Sequence, residues 1–299
     1  MGWPEKAVLA VLPHVPKFAL RRVASRYIAG ERLEEAIARL QSLSARGHAG
    51  IIDILGEDVT GEAQASEVIR EYQLAADAVA KAKLDCYVSV KPTHCGLRTS
   101  DKLALDQYRS LCKHCKALGL FVRVEMEDNT TTDATLRIFE ALRGEFDNVG
   151  LVLQSRLKRT PDDIAKLKPG PLQVRMVKGI YLEPATIAHT EPDPIRAAYV
   201  ACCDQLFARG ANVSLATHDE GMSHELVKLI LKHRRSKSDY EFQVLLGVQE
   251  AVWDRWLAAG HRVRVYVPFG PQWQPYSLRR MRKNPELVRH VLRQTFGLS

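Results

Sequence analysis

The stretch LQVRMVKGIYLE at residues 172–183 decides the fold, because it has the pattern of a buried strand that runs directly into reactive side chains. Val174, Met176 and Ile180 supply its apolar side, and Gly179 allows backbone to approach a ligand closely. The chargeable and aromatic groups arrive where the strand is expected to stop, and they are Arg175, Lys178, Tyr181 and Glu183. Stability alone gives no reason to collect such groups there, so the segment predicts a strand that ends in a functional site.

Similar short apolar runs recur on both sides of this segment and alternate with longer amphipathic stretches. The predicted strands are 51–55, 86–90, 120–126, 149–153, 172–177, 212–216, 240–246 and 263–267. The predicted helices include 63–82, 101–118, 194–209, 222–233 and 250–259. Strand-helix units at intervals of roughly 25 to 35 residues, about eight in all, are typical of a (β/α)8 barrel, an α/β fold. A doubly wound sheet is disfavoured because no GxGxxG follows the first strand and because the units continue to about eight.

Residues 1–47 carry a helical pattern and no strand pattern. Their apolar positions at helical spacing are Leu33, Ala36, Ile37, Leu40 and Leu43. Pro13 and Pro16 are expected to break the earlier part into short helices. We therefore predict an N-terminal helical extension at 1–47, followed by a catalytic barrel at 48–299 that ends in a substrate-binding helix.

Composition excludes several classes of protein. The 299 residues are 46% hydrophobic and carry a formal net charge of +8, but the basic residues are spread along the chain without a nucleic-acid-binding motif, so no nucleic-acid partner is expected. The six cysteines lack a secreted framework and no signal peptide is evident, which predicts a cytoplasmic protein. Cys112 and Cys115 form a CxxC inside a helical pattern with no second pair at metal spacing, so we predict helix packing and no metal site.

Polar or chargeable groups recur at one end of nearly every predicted strand. They are Lys91 and Thr93 after strand two, Glu125 and Met126 at strand three, Gln154 at strand four, Arg175 and Lys178 at strand five, Thr217 and His218 at strand six, Gln243 opening strand seven, and Tyr266 in strand eight. Active sites of such barrels form at the carboxyl ends of the strands. The recurrence therefore predicts an active site at that end.

The last helix carries a basic cluster beside an aromatic ring. Spacings of three, four and seven residues place Tyr276, Arg279 or Arg280, and Lys283 along one helix face. A planar guanidinium binds a carboxylate bidentately, so this face suits a carboxylate ligand, although a solvated basic helix has the same pattern.

Eight segments resemble the proline dehydrogenases, flavoenzymes with a distorted (β/α)8 barrel, and they occur in that family's order. The segments are SVKPTHCGL, RVEMEDN, LQSRLKRT, RMVKGIYLEP, LATHD, FQVLLGV, RVYVPFG and YSLRRMRKN, within residues 85–285. The resemblance implies FAD-dependent oxidation of L-proline to Δ1-pyrroline-5-carboxylate, with hydride transfer to flavin N5 and electrons passed on to a quinone. It implies the short, single-activity bacterial type, with a pyrroline-5-carboxylate dehydrogenase as a partner. Because the implied acceptor is a membrane quinone and the basic surface and N-terminal helices favour contact with anionic lipid, we expect peripheral contact with the inner face of the cell membrane.

The resemblance also implies residue roles. The catalytic residues are Glu125 and Arg175, and the substrate-binding residues are Lys91, Tyr266, Tyr276, Arg279 and Arg280. The cofactor-binding residues are Met126, Gln154, Arg175, Lys178, Gly179, Ile180, Thr217, His218 and Gln243. Gly247 is expected to let backbone come close to the cofactor.

Three residues depart from the family pattern. Glu125 stands where Asp is frequent, Asp219 replaces a common Asn beside the predicted FAD site, and Lys283 replaces a frequent Glu. The charge reversal at Lys283 lies beside Arg279 and Arg280, so there we expect altered affinity more than lost activity.

Two alternatives stay open from the sequence. One is a barrel lyase or aldolase in which a desolvated Lys178 forms a Schiff base with a carbonyl substrate. The other is a non-catalytic barrel that binds a flavin or an amino acid.

Overall fold

A computed structural model describes residues 21, 24–274 and 276–277, which contain a closed barrel of eight strands in sequence order. The strands are β1 (Ala49–Ile54), β2 (Cys86–Val90), β3 (Val122–Val124), β4 (Val149–Gln154), β5 (Gln173–Val177), β6 (Asn212–Ala216), β7 (Tyr240–Leu245) and β8 (Val263–Phe269). All neighbours are parallel, and β1 closes the barrel on β8 with Ile51 opposite Tyr266. The predicted (β/α)8 fold is confirmed, and each predicted strand overlaps an observed one.

The described residues also contain eight α-helices. They are α1 (Leu33–Ala45), α2 (Glu62–Lys81), α3 (Asp101–Ala117), α4 (Thr132–Glu145), α5 (Thr160–Lys166), α6 (Pro192–Ala208), α7 (Glu220–Lys232) and α8 (Glu250–Ala258). A short 3-10 helix, Pro92–Cys95, follows β2. Five of the connecting helices lie within two residues of their predicted bounds, whereas α4 and α5 were not predicted. None of these helices combines the length and the apolarity that crossing a membrane requires.

Helix α1 lies within the predicted N-terminal extension at 1–47, but it packs directly on the barrel, against β1 and β8. Its Ala36, Leu40 and Leu43 are buried in the main hydrophobic core. A Cβ added at Gly50 would lie 2.3 Å from Leu40 Cδ2, so this glycine lets the helix approach β1 closely. In the described structure, α1 therefore covers the seam where the barrel closes.

Some sequence predictions fall outside the described residues. These are the short helices expected before residue 21, with Pro13 and Pro16, and the basic face formed by Arg279, Arg280 and Lys283.

The barrel interior is filled largely by hydrogen-bonded polar side chains, whereas barrels of this type commonly fill it with layers of branched apolar residues. Alternation along each strand sends one set of side chains outward to the helices and the other set inward. The buried polar and charged set on the strands includes Asp53, Ser89, Arg123, Arg175, Ser214, Glu241, Gln243 and Arg264. Gly150 makes room for one of them, since a Cβ there would lie 2.5 Å from Arg123 Nη1.

The CxxC cysteines pack as the sequence predicted. Cys112 and Cys115 are free thiols on α3, and both are fully buried in the hydrophobic core. Burial raises the pKa of the Cys115 thiol to about 12. Both thiols serve as small apolar side chains in the packing of α3.

Candidate active site

Arg175 lies at the centre of the site, but inside the barrel rather than at the end of a strand. Strand β5 continues to Val177, so alternation turns Arg175 inward, where its exposed fraction is 3%. Its Nε donates to Gln243 Oε1 at 2.6 Å and its Nη2 donates to the Tyr87 hydroxyl at 3.1 Å. Its Nη1 donates to Glu125, which follows β3. The guanidinium is therefore held on three sides by groups from three other strands or strand ends.

This guanidinium is a permanent charge. Burial lowers the pKa of Arg175, but the neighbouring Glu125, Tyr87 and Tyr266 outweigh burial, and the net shift is upward. The guanidinium carbon lies 5.3 Å from the centre of the Tyr266 ring. The predicted catalytic pair Glu125 and Arg175 and the predicted substrate-ring contact Tyr266 are thus brought together.

Gln243 is the fourth residue of β7, not its first, and it connects Arg175 to a second buried ion pair. Its Nε2 donates to the Tyr87 hydroxyl at 2.7 Å and to Glu241 Oε1 at 2.5 Å. Glu241 in turn accepts a hydrogen bond from Arg264 Nε at 2.9 Å. Since Arg175 can only donate and the Glu241 carboxylate can only accept, the orientation of the Gln243 amide is fixed.

Lys91 is held over the loop that follows β1. Its Nζ donates to the carbonyl oxygen of Gly56 at 3.0 Å and lies 3.7 Å from Glu57 Oε2. A Cβ at Gly56 would lie 2.2 Å from His94 Nε2, so only glycine fits between this loop and the buried imidazole. The predicted carboxylate-binding lysine therefore stands at the barrel mouth with 15% of its side chain exposed.

Asp53 lies beside the predicted site residues but was not itself predicted from the sequence. It is buried on β1, accepts a hydrogen bond from the Tyr72 hydroxyl at 3.1 Å and also bonds Tyr266. Burial raises the pKa of Asp53 to about 6, against the opposing charge of Lys91. A single carboxylate within the apolar run IIDIL at 51–55 indicates a charged side chain that points into the barrel, as Arg175 does in β5.

We expect Asp53→Asn to change how stability depends on pH. The folded protein binds the Asp53 proton more tightly than the unfolded chain, so the stability from this group is present at low pH and lost as pH rises from 3.8 to about 6. Relative to the parent, the variant should therefore gain about 2 kcal/mol in free energy of unfolding between about pH 4.5 and about pH 7.5. Denaturant unfolding of both proteins at the two pH values measures this. An unchanged difference between them would contradict the raised pKa.

Lys178, Asp219 and Arg196 form a charged cluster at the carboxyl ends of β5 and β6. Asp219 Oδ2 accepts from Lys178 Nζ at 2.8 Å and from Arg196 Nε at 2.7 Å, and its Oδ1 accepts from the Met222 amide as the N-cap of α7. Burial raises the pKa of Asp219, but the bonds from both cations outweigh burial and hold it well below its usual range. The negative charge that Asp219 brings to this position is therefore balanced by Lys178 and Arg196. Arg196 lies on α6 and had no signal in the sequence, because only the fold brings it beside β6.

The position of Lys178 does not suit the Schiff-base alternative. That chemistry needs a desolvated, neutral amine. Lys178 is instead paired with Asp219 and keeps 34% of its side chain exposed. The desolvation that the alternative assumed is not met.

Four other predicted cofactor residues line the same end of the barrel. Met126, Gln154 and Thr217 are buried at the ends of β3, β4 and β6. His218 follows β6, and its Nε2 accepts a hydrogen bond from the Leu245 amide at 3.1 Å. The structure thus places these four residues at or just after the carboxyl ends of β3, β4 and β6.

Gly179 and Ile180 follow β5, and only Ile180 is exposed. Gly179 has a φ of +95°, and a Cβ there would lie 2.7 Å from Gln154 Oε1. Ile180 is 64% exposed, so the prediction that it continues the apolar side of the strand is wrong. The chain leaves the strand after Val177, and the alternation ends there.

Gly247 serves the chain itself in the described structure. It has a φ of +71°, and a Cβ there would lie 1.9 Å from the carbonyl oxygen of Arg26. The group that lies close to this glycine in the described structure is therefore the backbone of the segment before α1. The predicted approach of Gly247 to the cofactor stays a prediction.

Of the predicted residues on the last helix, Tyr276 is described and is partly buried. Arg279 and Arg280 lie outside the described residues. No group of three or more metal-ligating side chains occurs within the described part of the chain.

Comparison with known proteins agrees with this architecture. The family model described as proline dehydrogenase matches residues 36–291. The proline dehydrogenase of Deinococcus radiodurans is 36% identical over 297 residues, covering 96% of both chains, and proline dehydrogenase 1 of Bacillus subtilis strain 168 is 31% identical, covering 92% of this chain and 91% of that protein. The bifunctional protein PutA of Escherichia coli K12 is 25% identical over 89% of this chain and 24% of its own length.

Solved structures agree on the fold. The crystal structure of proline utilization A from Bdellovibrio bacteriovorus, inactivated by N-propargylglycine, superimposes with a TM-score of 0.82 at 23% identity. The superposition covers 93% of this chain and 34% of the longer proline utilization A chain.

Proposed function

Because the chain belongs to the proline dehydrogenase family, we propose that it oxidises L-proline to Δ1-pyrroline-5-carboxylate with FAD as its cofactor. The observation that carries this proposal is the buried Arg175, paired with Glu125 and lying against the Tyr266 ring. Lys91 stands at the mouth of the same barrel. The Arg175 charge and the Tyr266 ring inside the barrel, together with the Lys91 charge at its mouth, suit a small cyclic amino acid.

The residues at the ends of β5 and β6 fit FAD. Lys178 and Arg196 are partly exposed cations beside the amino end of α7, and backbone amides and cations at such a position suit a pyrophosphate. Gly179, with its positive φ, leaves no Cβ between the backbone and Gln154. We propose that these residues hold the cofactor together with Met126, Thr217, His218 and Ile180.

FAD, when bound, supplies flavin N5 as the acceptor of the hydride from the proline ring carbon. Arg175 contributes a fixed positive charge that favours an electron-rich neighbour, and it needs no reorganisation because Glu125, Gln243 and Tyr87 already hold it. In this role Gln243 acts on the cofactor through Arg175. Glu125 keeps the buried charge balanced.

Substrate binding follows from the carboxylate and the ring of proline. Lys91 would bind the carboxylate together with Arg279 and Arg280, while Tyr266 and Tyr276 would pack on the pyrrolidine ring. Loss of hydride requires the amine lone pair, so proline would react as the neutral amine and no catalytic base is needed.

We further propose that the electrons pass to a membrane quinone and that this cytoplasmic protein contacts the inner face of the membrane peripherally. The net charge of +8 supports attraction to anionic lipid. We also propose that a separate pyrroline-5-carboxylate dehydrogenase is a partner of this chain, a link that the relatives described as bifunctional support.

The visible spectrum of the purified protein, recorded before and after anaerobic addition of L-proline, tests the proposal. We expect a flavin spectrum that bleaches with L-proline and stays unchanged with D-proline. Bound flavin that L-proline does not bleach would contradict the activity and favour a binding role. Protein that stays colourless after FAD is supplied would contradict the cofactor as well.

A further inference from the structure

Glu127 is a buried carboxylate to which the mechanism above gives no role. It lies just after β3 with an exposed fraction of 4%. Both of its carboxylate oxygens bond one residue: the Thr93 amide donates to Oε2 at 2.9 Å, and the Thr93 hydroxyl donates to Oε1 at 2.8 Å. Thr93 is itself fully buried. The two side chains therefore form a bidentate contact between the ends of β2 and β3.

This contact fixes the turn that carries Lys91. The 3-10 helix Pro92–Cys95 begins immediately after Lys91, and the amides of His94 and Cys95 both donate to the Lys91 carbonyl, at 3.0 and 3.2 Å. A displacement of Thr93 would therefore rotate the backbone from which the Lys91 side chain extends. Glu127 sets the position of Thr93 by two bonds at once.

The same pair reaches the ends of two further strands. The Asp58 amide, in the loop after β1, donates to Thr93 Oγ1 at 3.2 Å. Gln154 Nε2, at the end of β4, donates to the Glu127 carbonyl at 2.6 Å. Four consecutive strand ends are thus joined through these two residues.

The stability cost of Glu127 also needs a reason. Burial raises the pKa of its carboxyl group to about 7, against the hydrogen bonds from Thr93. Among the described residues no salt-bridge partner compensates it, and a buried carboxylate without such a partner opposes folding. A shorter or apolar side chain would avoid this cost but could not make both bonds to Thr93, so these two bonds are what the buried carboxylate provides.

We propose that Thr93 and Glu127 are the positioning pair of the active site, which sets Lys91 for the substrate carboxylate and Gln154 for the cofactor. This inference rests on the proposed function, because it takes Lys91 as a substrate contact. The pair depends on the length of the side chain at position 127, because two of its polar atoms must bond Thr93 at the same time.

Two matched pairs of variants separate the effect of side-chain length from the effects of side-chain charge and side-chain volume. Thr93→Val keeps the branched shape but removes the hydroxyl, whereas Thr93→Ser keeps the hydroxyl. Glu127→Asp keeps the charge but is one methylene too short to make both bonds, whereas Glu127→Gln keeps the reach, with its amide donating to the Thr93 hydroxyl. If Thr93→Val does not fold, the Glu127 pair alone decides.

Steady-state kinetics with L-proline and the dissociation constant of FAD for each apoprotein provide the measurements. We expect Thr93→Val and Glu127→Asp to raise KM about tenfold and to weaken FAD binding by about threefold, with kcat within about twofold of the parent. Thr93→Ser and Glu127→Gln should match the parent in all three quantities.

Equal KM values within each matched pair, or a fall in kcat at unchanged KM, would overturn the inference. Failure of the parent protein itself to reduce its flavin with L-proline would instead overturn the proposed function. FAD affinity is measured without turnover, so it reports on Gln154 in either case.

Discussion

Replacing Arg175 with methionine should lower the free energy of unfolding by about 3 to 5 kcal/mol and abolish the reduction of flavin by proline. Arg175 is 3% exposed and holds Glu125, Gln243 and Tyr87 through its guanidinium. Methionine fills much of the volume but leaves the Glu125 carboxylate, whose side chain is only 13% exposed, without its cation. Breaking a buried pair from one side is costly because the remaining charge loses its partner.

A double variant isolates this cause. In Arg175→Met with Glu125→Gln no lone charge remains, so we expect at least about 2 kcal/mol of the lost stability to return while activity stays absent. Denaturant unfolding and anaerobic flavin reduction measure the two quantities separately. Recovery of activity in the double variant would show that the charge of Arg175 is not needed for the reaction.

A surface pair supplies the control. Arg137 bonds Asp101, but its side chain is 64% exposed. Arg137→Met should change the free energy of unfolding by less than about 1 kcal/mol, because an exposed ion pair gains little over its solvated groups. A loss as large as that of Arg175→Met would mean that the effect comes from losing an arginine at any site.

Gly247→Ala should destabilise the protein by about 2 to 4 kcal/mol. The new Cβ would stand 1.9 Å from the Arg26 carbonyl oxygen, and the residue would keep a φ of +71° that disfavours side chains. The backbone around Arg26 must then move away from the barrel, which would disturb the buried Ala24 and Ile28 on either side of it. Thermal unfolding and limited proteolysis near residue 26 provide the measurements.

Gly144 is the matched control for that substitution. It lies inside α4, and a Cβ there meets nothing within 4 Å. Gly144→Ala should therefore stabilise the protein by about 0.5 to 1 kcal/mol, because alanine loses less backbone freedom on folding. Both substitutions add one methyl group, but we expect Gly247→Ala to lower the free energy of unfolding and Gly144→Ala to raise it. Cleavage near residue 26 that is equal in both variants would contradict the contact.

The sequence placed the barrel strands well because their signal is local. The run of apolar residues in β5 and in the other strands, with turn residues between them, is visible within a window of a few residues. Helices α4 and α5 were not placed, although the order of elements already required connections there. The exposed Ile180 was misassigned because periodicity does not show where a strand ends.

The sequence also placed several site residues at the carboxyl ends of the strands, including Lys91, Glu125 and Lys178. It missed Asp53, although the pattern in β1 contained the needed signal, and it gave no sign of Arg196, which reaches the site from a helix. At Gly247 the sequence indicates that backbone comes close to another group, but only the structure shows that the Arg26 carbonyl lies there.

The sequence by itself determined the fold class, the order of the strands, the end of the barrel that carries the site and the resemblance to a family, because each of these follows from patterns within short segments. The tertiary structure alone decided which polar side chains pair. Arg175 meets Gln243 across 68 residues of chain and Tyr87 across 88. Such pairs exist only once the barrel closes and its register sets which inward positions face each other, and no local pattern contains that information.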